Sequence, residues 1–395
     1  MKNLTKLFLL VLVSLAVTPL TGSFVASAGV VSVLTMLTPN IQGSLYMAIP
    51  VQDAQGLFTK SVIAVYKEKI SVTSFLRSFF TVKETMSKNV SVLVRRGFEK
   101  VAVDVNRYSD GNRNQMTKST EKIITPPFYS EYLTANEFEL YDRAIMALSQ
   151  GDTTFFTELT QEVAEELMEL QKKIERAVEL QCAQVFEDGI LQLNSGGNID
   201  FKRKAGSKVD KGAGNYWATG TINPYADLEA GCNFIRKEGK SEGFVFDALM
   251  GSTALSDFLN NDIVKERADI RNYSMDSIGM AQKNAVGATY HGEVTCGSYR
   301  VRLWAYPQYY TDSSGTQVSY LNPKKVVLLP ENPEFILTYA AVPQLIEDGQ
   351  IPQKGAYLIQ DFIDRKKVAH EISIKAAPLA VPVAVDRIYT VQVVA

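Results

Sequence analysis

The sequence predicts a mixed α+β protein in which one very long helix organises several short strands and helices. Three observations indicate this class. An amphipathic pattern runs without a break over residues 154–188, a strand-like basic segment precedes it, and short helical and strand patterns alternate after residue 226. The chain has 395 residues, of which 46% are hydrophobic and 21% charged, so it is long enough to bury one or more cores.

The composition excludes several functional classes. A net charge of −2 argues against a protein that grips nucleic acid over its whole surface. The three cysteines are scattered and the two histidines are His291 and His370, so neither a disulfide framework nor a histidine-rich metal site is expected. No Walker A loop, Gly-x-Ser-x-Gly elbow or dinucleotide-binding glycine motif occurs. We therefore expect no cofactor, no metal, no small-molecule substrate and no enzymatic activity.

Residues 1–46 differ in composition from the rest of the chain. Lys2 and Lys6 precede an apolar run from Leu7 to Val17, and the small residues Ala26-Ser27-Ala28 follow, as in a secretory signal. The run is interrupted at Thr18, well before the roughly 20 residues that a bilayer requires. Three interpretations remain: an export signal, an uncleaved apolar arm, or a functional start at Met47.

The next segments predict an arm and then a long hairpin. Residues 58–80 have mixed apolar spacing and predict a partly helical arm. Strand-like alternation over residues 90–105, a turn at Asp110-Gly111 and a return strand over residues 117–124 predict the hairpin. Ser119 and Lys122 match a serine/lysine acylating motif, but they fall on the return strand of this hairpin, where that chemistry has no support.

The long helix predicted from about Thr154 to Asp188 places its apolar residues on one stripe and ends at Gly189. At 1.5 Å per residue it is a rod of roughly 50 Å. Residues 152–188 include ten acidic residues, which we expect to form a face that is solvated or turned toward a partner.

Beyond the helix, residues 194–220 predict a long surface loop because they are rich in Gly, Ser and Asn. The basic residues within 202–211 lack interleaved aromatic residues, so we expect a mobile exposed loop rather than a phosphate-binding surface. The later pattern predicts a helix and short strands, and it predicts that Trp304, Tyr306, Tyr309 and Tyr310 form the packed face of a hairpin. The elements are strands at 244–246, 299–306, 318–321, 372–374 and 388–394, and a helix at 252–261.

Opposite charges on the hairpin and the helix indicate contact between copies of the chain. The hairpin is basic and the helix is acidic, and electrostatic complementarity of this kind fixes the register of an interface. Two unrelated solvated surfaces are the alternative. The residues that we expect at a subunit interface are Arg107, Arg113 and Lys118 of the hairpin and Glu162, Glu166 and Glu169 of the helix.

The order of these pieces resembles the major capsid protein E family of tailed phages, the phage lambda major head protein type. The resemblance covers about residues 57–395 and rests on short segments that occur in the same order. These are Phe75-Leu76-Arg77-Ser78-Phe79-Phe80, Ile124-Thr125-Pro126-Pro127, Tyr216-Trp217, Asn223-Pro224, Val245-Phe246-Asp247, Val264-Lys265-Glu266 with Arg271, Tyr299-Arg300-Val301, Leu321-Asn322-Pro323 and Ala376-Ala377-Pro378-Leu379.

This resemblance implies the tailed-phage and herpesvirus capsid fold, with an N-arm, an extended hairpin loop, a peripheral domain and an axial domain. It implies a structural protein that assembles as pentamers and hexamers into an icosahedral shell around double-stranded DNA, which it contacts non-specifically. It further implies portal, scaffold and decoration proteins as partners, and assembly in the host cytoplasm. The expected division is 1–46 apolar extension, 47–89 N-arm, 90–125 extended loop, 126–225 peripheral domain, 226–375 axial domain and 376–395 C-terminal strands.

Two other functions remain open at this point. The signal-like start and the aromatic residues favour a secreted or cell-surface β-rich binding protein, whereas an encapsulin-like compartment shell would use the same capsid fold. The size of the oligomer separates the first alternative from a capsid protein, and protein cargo in place of a genome identifies the second.

Overall fold

The fold is mixed α+β, as the sequence predicts. A computed structural model describes residues 75–95, 119–136, 155–193, 197–270, 282–283, 287–346, 349–364 and 369–395. All of these belong to the compact unit Ser61–Ala395. Up to residue 210 the elements are strands β1 (Phe80–Glu84), β2 (Val90–Arg95), β3 (Ser119–Ile124) and β4 (Tyr129–Asn136), helix α1 (Phe155–Glu187), and strands β5 (Ile190–Leu191), β6 (Ile199–Asp200) and β7 (Lys208–Asp210).

The second half alternates three further helices with fourteen strands among the described residues. The helices are α2 (Pro224–Glu238), α3 (Ser252–Asn260) and α4 (Asp262–Ile270). The strands are β8 (Val245–Met250), β9 (Gln282–Lys283), β10 (Thr289–Cys296), β11 (Tyr299–Ala305), β12 (Tyr309–Thr311), β13 (Gln317–Ser319), β14 (Lys325–Pro330), β15 (Phe335–Tyr339), β16 (Val342–Ile346), β17 (Gly349–Gln353), β18 (Leu358–Asp364), β19 (Ala369–Ala376), β20 (Pro378–Pro382) and β21 (Tyr389–Gln392).

A mixed seven-stranded sheet, in the order β7-β21-β14-β8-β11-β10-β9, separates two hydrophobic cores. Successive side chains of a strand point to opposite faces, and β14 shows this directly. Val326 and Leu328 belong to the core around α2, whereas Val327 and Leu329 belong to the core around α1. Burial on both faces explains why β14 is a continuous apolar run without polar alternation.

Two three-stranded sheets lie outside the seven-stranded one. In the first, β1 pairs in parallel with β15, which pairs antiparallel with β20. In the second, β19 lies between β18 and β4, and all three strands are antiparallel. Strand β19 therefore shares a sheet with β4, although the chain between them contributes most of the seven-stranded sheet. The domain boundaries expected from the sequence stay a prediction.

Helix α1 matches the helix predicted from the sequence within one residue at each end. Its end at Gly189 is also as predicted: this glycine has φ +68°, a left-handed conformation that side chains with a Cβ avoid, and its N–H donates to the Gln184 carbonyl over 3.1 Å. A Cβ at Gly189 would also collide with the side chain of Arg203.

The long surface loop predicted over residues 194–220 is described at residues 197–220, most of which are exposed or half-buried but which are not a simple exposed loop. This segment contributes β6 and β7, and Arg203 within it is only 8% exposed. Its Nη1 donates to the Phe186 and Glu187 carbonyls over 2.8 and 3.0 Å, so the guanidinium closes the C-terminal end of α1. Its Nη2 donates to the Ile388 carbonyl over 3.1 Å, which ties that helix end to the strand β21 segment.

The charge on Arg203 sits where a helix favours it. The last carbonyls of a helix carry partial negative charge, and a cation placed there is stabilised. Burial lowers the pKa of Arg203 to about 10, so the side chain remains protonated at neutral pH. Sequence composition concealed this role, because the neighbouring lysines suggested a solvated basic segment.

The short strands near residue 310 correct another expectation. The turn Asp312–Gly315 joins β12 and β13, which pair with each other as a short hairpin. Strand β11 instead pairs with β10 and β8 in the seven-stranded sheet. The predicted strand over residues 299–306 is thus confirmed, and the strand predicted over 318–321 is shifted and shorter.

We expect Arg203→Met to destabilise the protein by about 3 kcal/mol or more, because several buried carbonyl acceptors lose their donor at once. Denaturant unfolding of the purified subunit, followed by circular dichroism, measures this change. The matched control is Lys202→Met, whose side chain is 80% exposed and whose ion pair with Asp200 is worth less than about 1 kcal/mol. Equal effects of the two substitutions would contradict the role given to Arg203.

Candidate assembly surface

The structure places the acidic half of the predicted interface on the exposed side of α1. Glu162, Glu166 and Glu169 are all exposed, and their spacing of four and three residues puts them on one face of the helix. Lys172 Nζ lies 2.6 Å from a Glu169 carboxylate oxygen and lowers the pKa of that carboxyl. The pair is solvent-exposed, so it leaves this face open to a partner at little energetic cost.

The basic half of the predicted interface, Arg107, Arg113 and Lys118, lies outside the described residues. The structure does describe the foot of the predicted hairpin, by which we mean the paired strands β2 and β3. Strands β2 and β3 pair antiparallel, with Val90 opposite Ile124 and Arg95 opposite Ser119. This confirms the antiparallel pairing predicted for the two ends of the hairpin, with Ser119 and Lys122 on the return strand. The turn predicted at Asp110-Gly111 lies outside the described residues.

The foot of the hairpin is anchored while the adjoining surface is apolar and exposed. Val90 and Ile124 are buried and belong to the core around α1. The neighbouring Ile123 is 68% exposed, because alternation along the strand turns it outward. Large hydrophobic side chains that are more than half exposed also occur on the flanking segments, at Val82, Met86, Phe128 and Tyr132.

The expectation that all acidic residues of α1 form a solvated or partner-facing surface is wrong for two of them. Glu175 and Glu179 are 4% and 2% exposed. They lie on the apolar stripe with Val178 and Cys182, at helical spacings of three and four residues. Their position within that stripe is the one feature of the sequence that indicates burial. A carboxylate in an apolar stripe is nevertheless usually assigned to the surface, because burying it is costly.

Glu179 anchors the arm to the helix. Its Oε1 accepts the Leu76 N–H over 2.9 Å and the Tyr306 hydroxyl over 2.8 Å, and its Oε2 accepts the Arg77 N–H over 3.3 Å. These amides begin a short 3₁₀ turn, Leu76–Phe79, that leads into β1. Burial raises the pKa of Glu179, although the hydrogen bonds and the charge of Arg77 act against that rise.

Aromatic rings complete the junction between the arm and the sheet. The Phe75 ring lies 5.3 Å from Trp304 and 5.6 Å from Tyr306, measured between ring centroids. Trp304 Nε1 donates to Asp247 over 2.8 Å, and Arg302 holds the same carboxylate through Nε and Nη2 at 2.7 and 2.8 Å. The prediction that Tyr309 shares a packed face with Trp304 and Tyr306 is wrong, because Tyr309 is 57% exposed.

A cleft of about 520 Å³ opens beside this junction. Its walls come from the arm, from the Asp247 and Arg302 pair, and from the segment between β14 and β15. Arg302 also lies 3.3 Å from Glu331 at the rim. Glu334, which also lines the cleft, pairs with Arg387 over 3.1 Å. The charged side chains of the cleft thus already have partners within the chain.

The basic segment 202–211 does not present free cations to a nucleic acid. Each of its lysines contacts an acceptor within the same chain, and for three of them this is a carboxylate. The contacts are Lys202 with Asp200, Lys204 with Glu238 and Asp386, Lys211 with Asp227, and Lys208 with the Asp188 carbonyl.

Nothing in the described part of the chain forms a metal-binding group of three or more His, Cys, Asp or Glu side chains. Cys182, Cys232 and Cys296 are buried and form no disulfide bond with one another. Within the described ranges, no helix has both the length and the apolar character needed to cross a bilayer.

Comparison with known proteins gives one family match. The sequence profile of the family described as phage major capsid protein E matches residues 58–393. None of the curated proteins matches the chain.

The fold has counterparts among solved structures. A capsid protein of a prophage of Escherichia coli CFT073 has a TM-score of 0.55 at 16% identity, with 85% of this chain and 99% of that chain covered. A phage-related protein of Bordetella bronchiseptica RB50 has a TM-score of 0.45 at 12% identity, covering 84% and 95% of the two chains. An encapsulin of Synechococcus elongatus PCC 7942 has a TM-score of 0.40 at 12% identity, also covering 84% and 95%. At 16% identity, the similarity to the Escherichia coli prophage protein shows a shared fold and nothing more.

We expect Glu179→Ala to destabilise the folded subunit by about 2 kcal/mol, since buried donors on the arm and on Tyr306 lose their acceptor. Urea unfolding monitored by tryptophan fluorescence measures this loss. Glu165→Ala, at an exposed position of the same helix, is the control and should change stability by less than about 0.5 kcal/mol. A Glu179 variant as stable as this control would show that the arm does not depend on the carboxylate.

Proposed function

This chain belongs to the phage major capsid protein E family, and from that premise we propose that copies join by laying the basic hairpin of one subunit, residues 95–124, over the acidic face of α1 in the next. The protein is a major capsid protein, a structural component of the phage head. Its assembly with other copies follows from that role, whereas the docking of hairpin on helix is our own hypothesis.

The proposal rests on the pairing of β2 and β3 at the foot of the hairpin. Among the described residues, β2 and β3 pair only with each other, so they form a two-stranded ribbon. A two-stranded ribbon is at best marginally stable in water and presents unpaired strand edges. A neighbouring subunit that covers the ribbon would supply the missing burial.

Charge supports the choice of α1 as the covering surface. The hairpin segment 95–122 has Arg107, Arg113 and Lys118 among its cations, and the exposed face of α1 has Glu162, Glu166 and Glu169. Complementary charges of this kind select a register and accelerate encounter more than they add affinity. The exposed Ile123 on the ribbon itself would supply hydrophobic contact area in the same interface.

The finer features of assembly are part of the proposal. We infer that subunits form pentamers and hexamers in an icosahedral shell, that the shell encloses double-stranded DNA, and that assembly takes place in the host cytoplasm. Portal, scaffold and decoration proteins are the expected partners. Contacts with DNA would be non-specific, which is consistent with cations of the segment 202–211 that are engaged within the chain.

Expression of the full chain in a bacterial cytoplasm should give shells or capsomers, visible by negative-stain electron microscopy and as large species in analytical ultracentrifugation. The physical reason is that surfaces left open in one subunit are closed by others. A stable monomer or small oligomer would favour the binding-protein alternative. Shells that hold specific protein cargo in place of DNA would favour an encapsulin-like compartment.

Reversing charge in the hairpin should block shell formation. We expect Arg107→Glu with Arg113→Glu to reduce the particle yield at least about tenfold, because like charges across an interface cost several kcal/mol. Sedimentation of lysates measures the yield. Helix content and thermal unfolding of the variant subunit should match the wild type, since both residues act between subunits.

Two further variants make this test specific. Arg107→Lys with Arg113→Lys keeps the charges and should assemble normally. Adding Glu162→Arg and Glu166→Arg to the charge-reversed hairpin should restore particles if the two faces meet. The proposed contact between hairpin and helix is contradicted if the charge-reversed hairpin variant assembles normally. It is also contradicted if the added helix substitutions fail to restore particles.

A further inference from the structure

Two buried carboxylates of α1 lie under the arm with unequal hydrogen bonding. Glu175 and Glu179 are one helical turn apart on the same face and both are almost fully buried. Glu179 accepts three hydrogen bonds from the arm and from Tyr306. Glu175 Oε1 accepts one, from Gln171 Nε2 over 2.6 Å.

Glu175 has an unused acceptor in the interior. Its Oε2 is buried and accepts no well-formed hydrogen bond among the described residues. The buried Tyr357 hydroxyl does act on Glu175 and lowers its pKa, but this is the smallest of the effects that oppose burial. A buried carboxylate oxygen without a donor is costly when charged, and a proton on it removes most of that cost. Of the two carboxyl groups, Glu175 is therefore the better site for a proton.

The groups that face this pair supply little compensating positive charge. Arg77 of the arm acts electrostatically on both carboxylates, and Lys172 acts on Glu175. The other titratable or charged groups around the pair are Arg176 and Cys182 on α1, Tyr306 after β11, Tyr320 after β13, Tyr339 on β15 and Tyr357 before β18. When both carboxylates are ionised, Arg77 must offset two negative charges in a desolvated site.

We propose that Glu175 is a proton-sensitive latch for the arm: the turn Leu76–Phe79 is held more tightly on α1 when Glu175 is protonated, and less tightly when Glu175 and Glu179 are both charged. Protonation of Glu175 leaves Glu179 ionised, with its acceptors for the Leu76 and Arg77 amides intact. It also leaves Arg77 with a single carboxylate to neutralise.

The direction of the pH effect follows from linkage. Burial raises the pKa of Glu175. The charges of Arg77 and Lys172 and hydrogen bonds from Gln171 and Tyr357 oppose the rise only in part. A carboxyl whose pKa is higher when docked than when released takes up a proton on docking. Docking of the arm therefore strengthens as pH falls toward the ordinary range of a glutamate and weakens as pH rises through the elevated pKa.

This latch is a property of one subunit, so its test does not require shells. Hydrogen exchange of the soluble full chain, read by mass spectrometry on a peptide spanning 75–84, reports opening of the arm. Rates are divided by the intrinsic exchange rate at each pH. For the wild type, we expect protection to increase about three- to tenfold between pH 7.5 and pH 5.5.

The variant Glu175→Gln fixes the neutral state. We expect its protection at pH 7.5 to equal or exceed that of the wild type at pH 5.5, and to change little with pH. Glu165→Gln, an exposed substitution on the same helix, should keep the wild-type pH dependence. The latch is refuted if Glu175→Gln retains the full pH dependence, or if protection of the wild type is flat or decreases on acidification. The wild-type series decides the matter even if the variant does not fold.

Discussion

Burial of α1 is the constraint on which the rest of the structure depends. A helix of 33 residues presents an apolar stripe along its length, and the arm, β5, β15 and β20 all contribute to the core that covers it. Phe186 near its end is fully buried among aromatic rings of the arm and of β15. Burying one such ring contributes roughly 1.5–3 kcal/mol, so several of them outweigh the cost of the charged groups enclosed with them.

Those enclosed charges give the helix defined contacts at two points. Arg203 closes the C-terminal carbonyls and links them to the last strand, and Glu179 fixes the arm about two turns earlier. Hydrophobic contact is non-directional and would permit sliding, whereas buried hydrogen bonds from these side chains are satisfied in one register. A coat protein that must present the same surfaces in every copy needs such a register.

The exposed elements have the opposite character. The ribbon of β2 and β3 and the face bearing Glu162 are poorly stabilised or simply solvated in the single chain, as expected of surfaces completed by other copies. Membership in the capsid family explains this arrangement, because a shell subunit needs a stable core of its own and exposed surfaces that contact other subunits.

Periodic patterns alone determined the mixed class, the limits of α1 and the strands at 90–95 and 119–124, because hydrophobic periodicity is a local property of the chain. They missed β14, which is buried on both faces and so has no alternation, and they misplaced Glu175, Glu179 and Arg203. Whether a charged side chain is enclosed depends on donors and acceptors brought from distant segments, such as Leu76 to Glu179 and Ile388 to Arg203. Only the tertiary structure decides this, since an isolated stretch of sequence does not specify which remote groups will be present to satisfy a buried charge.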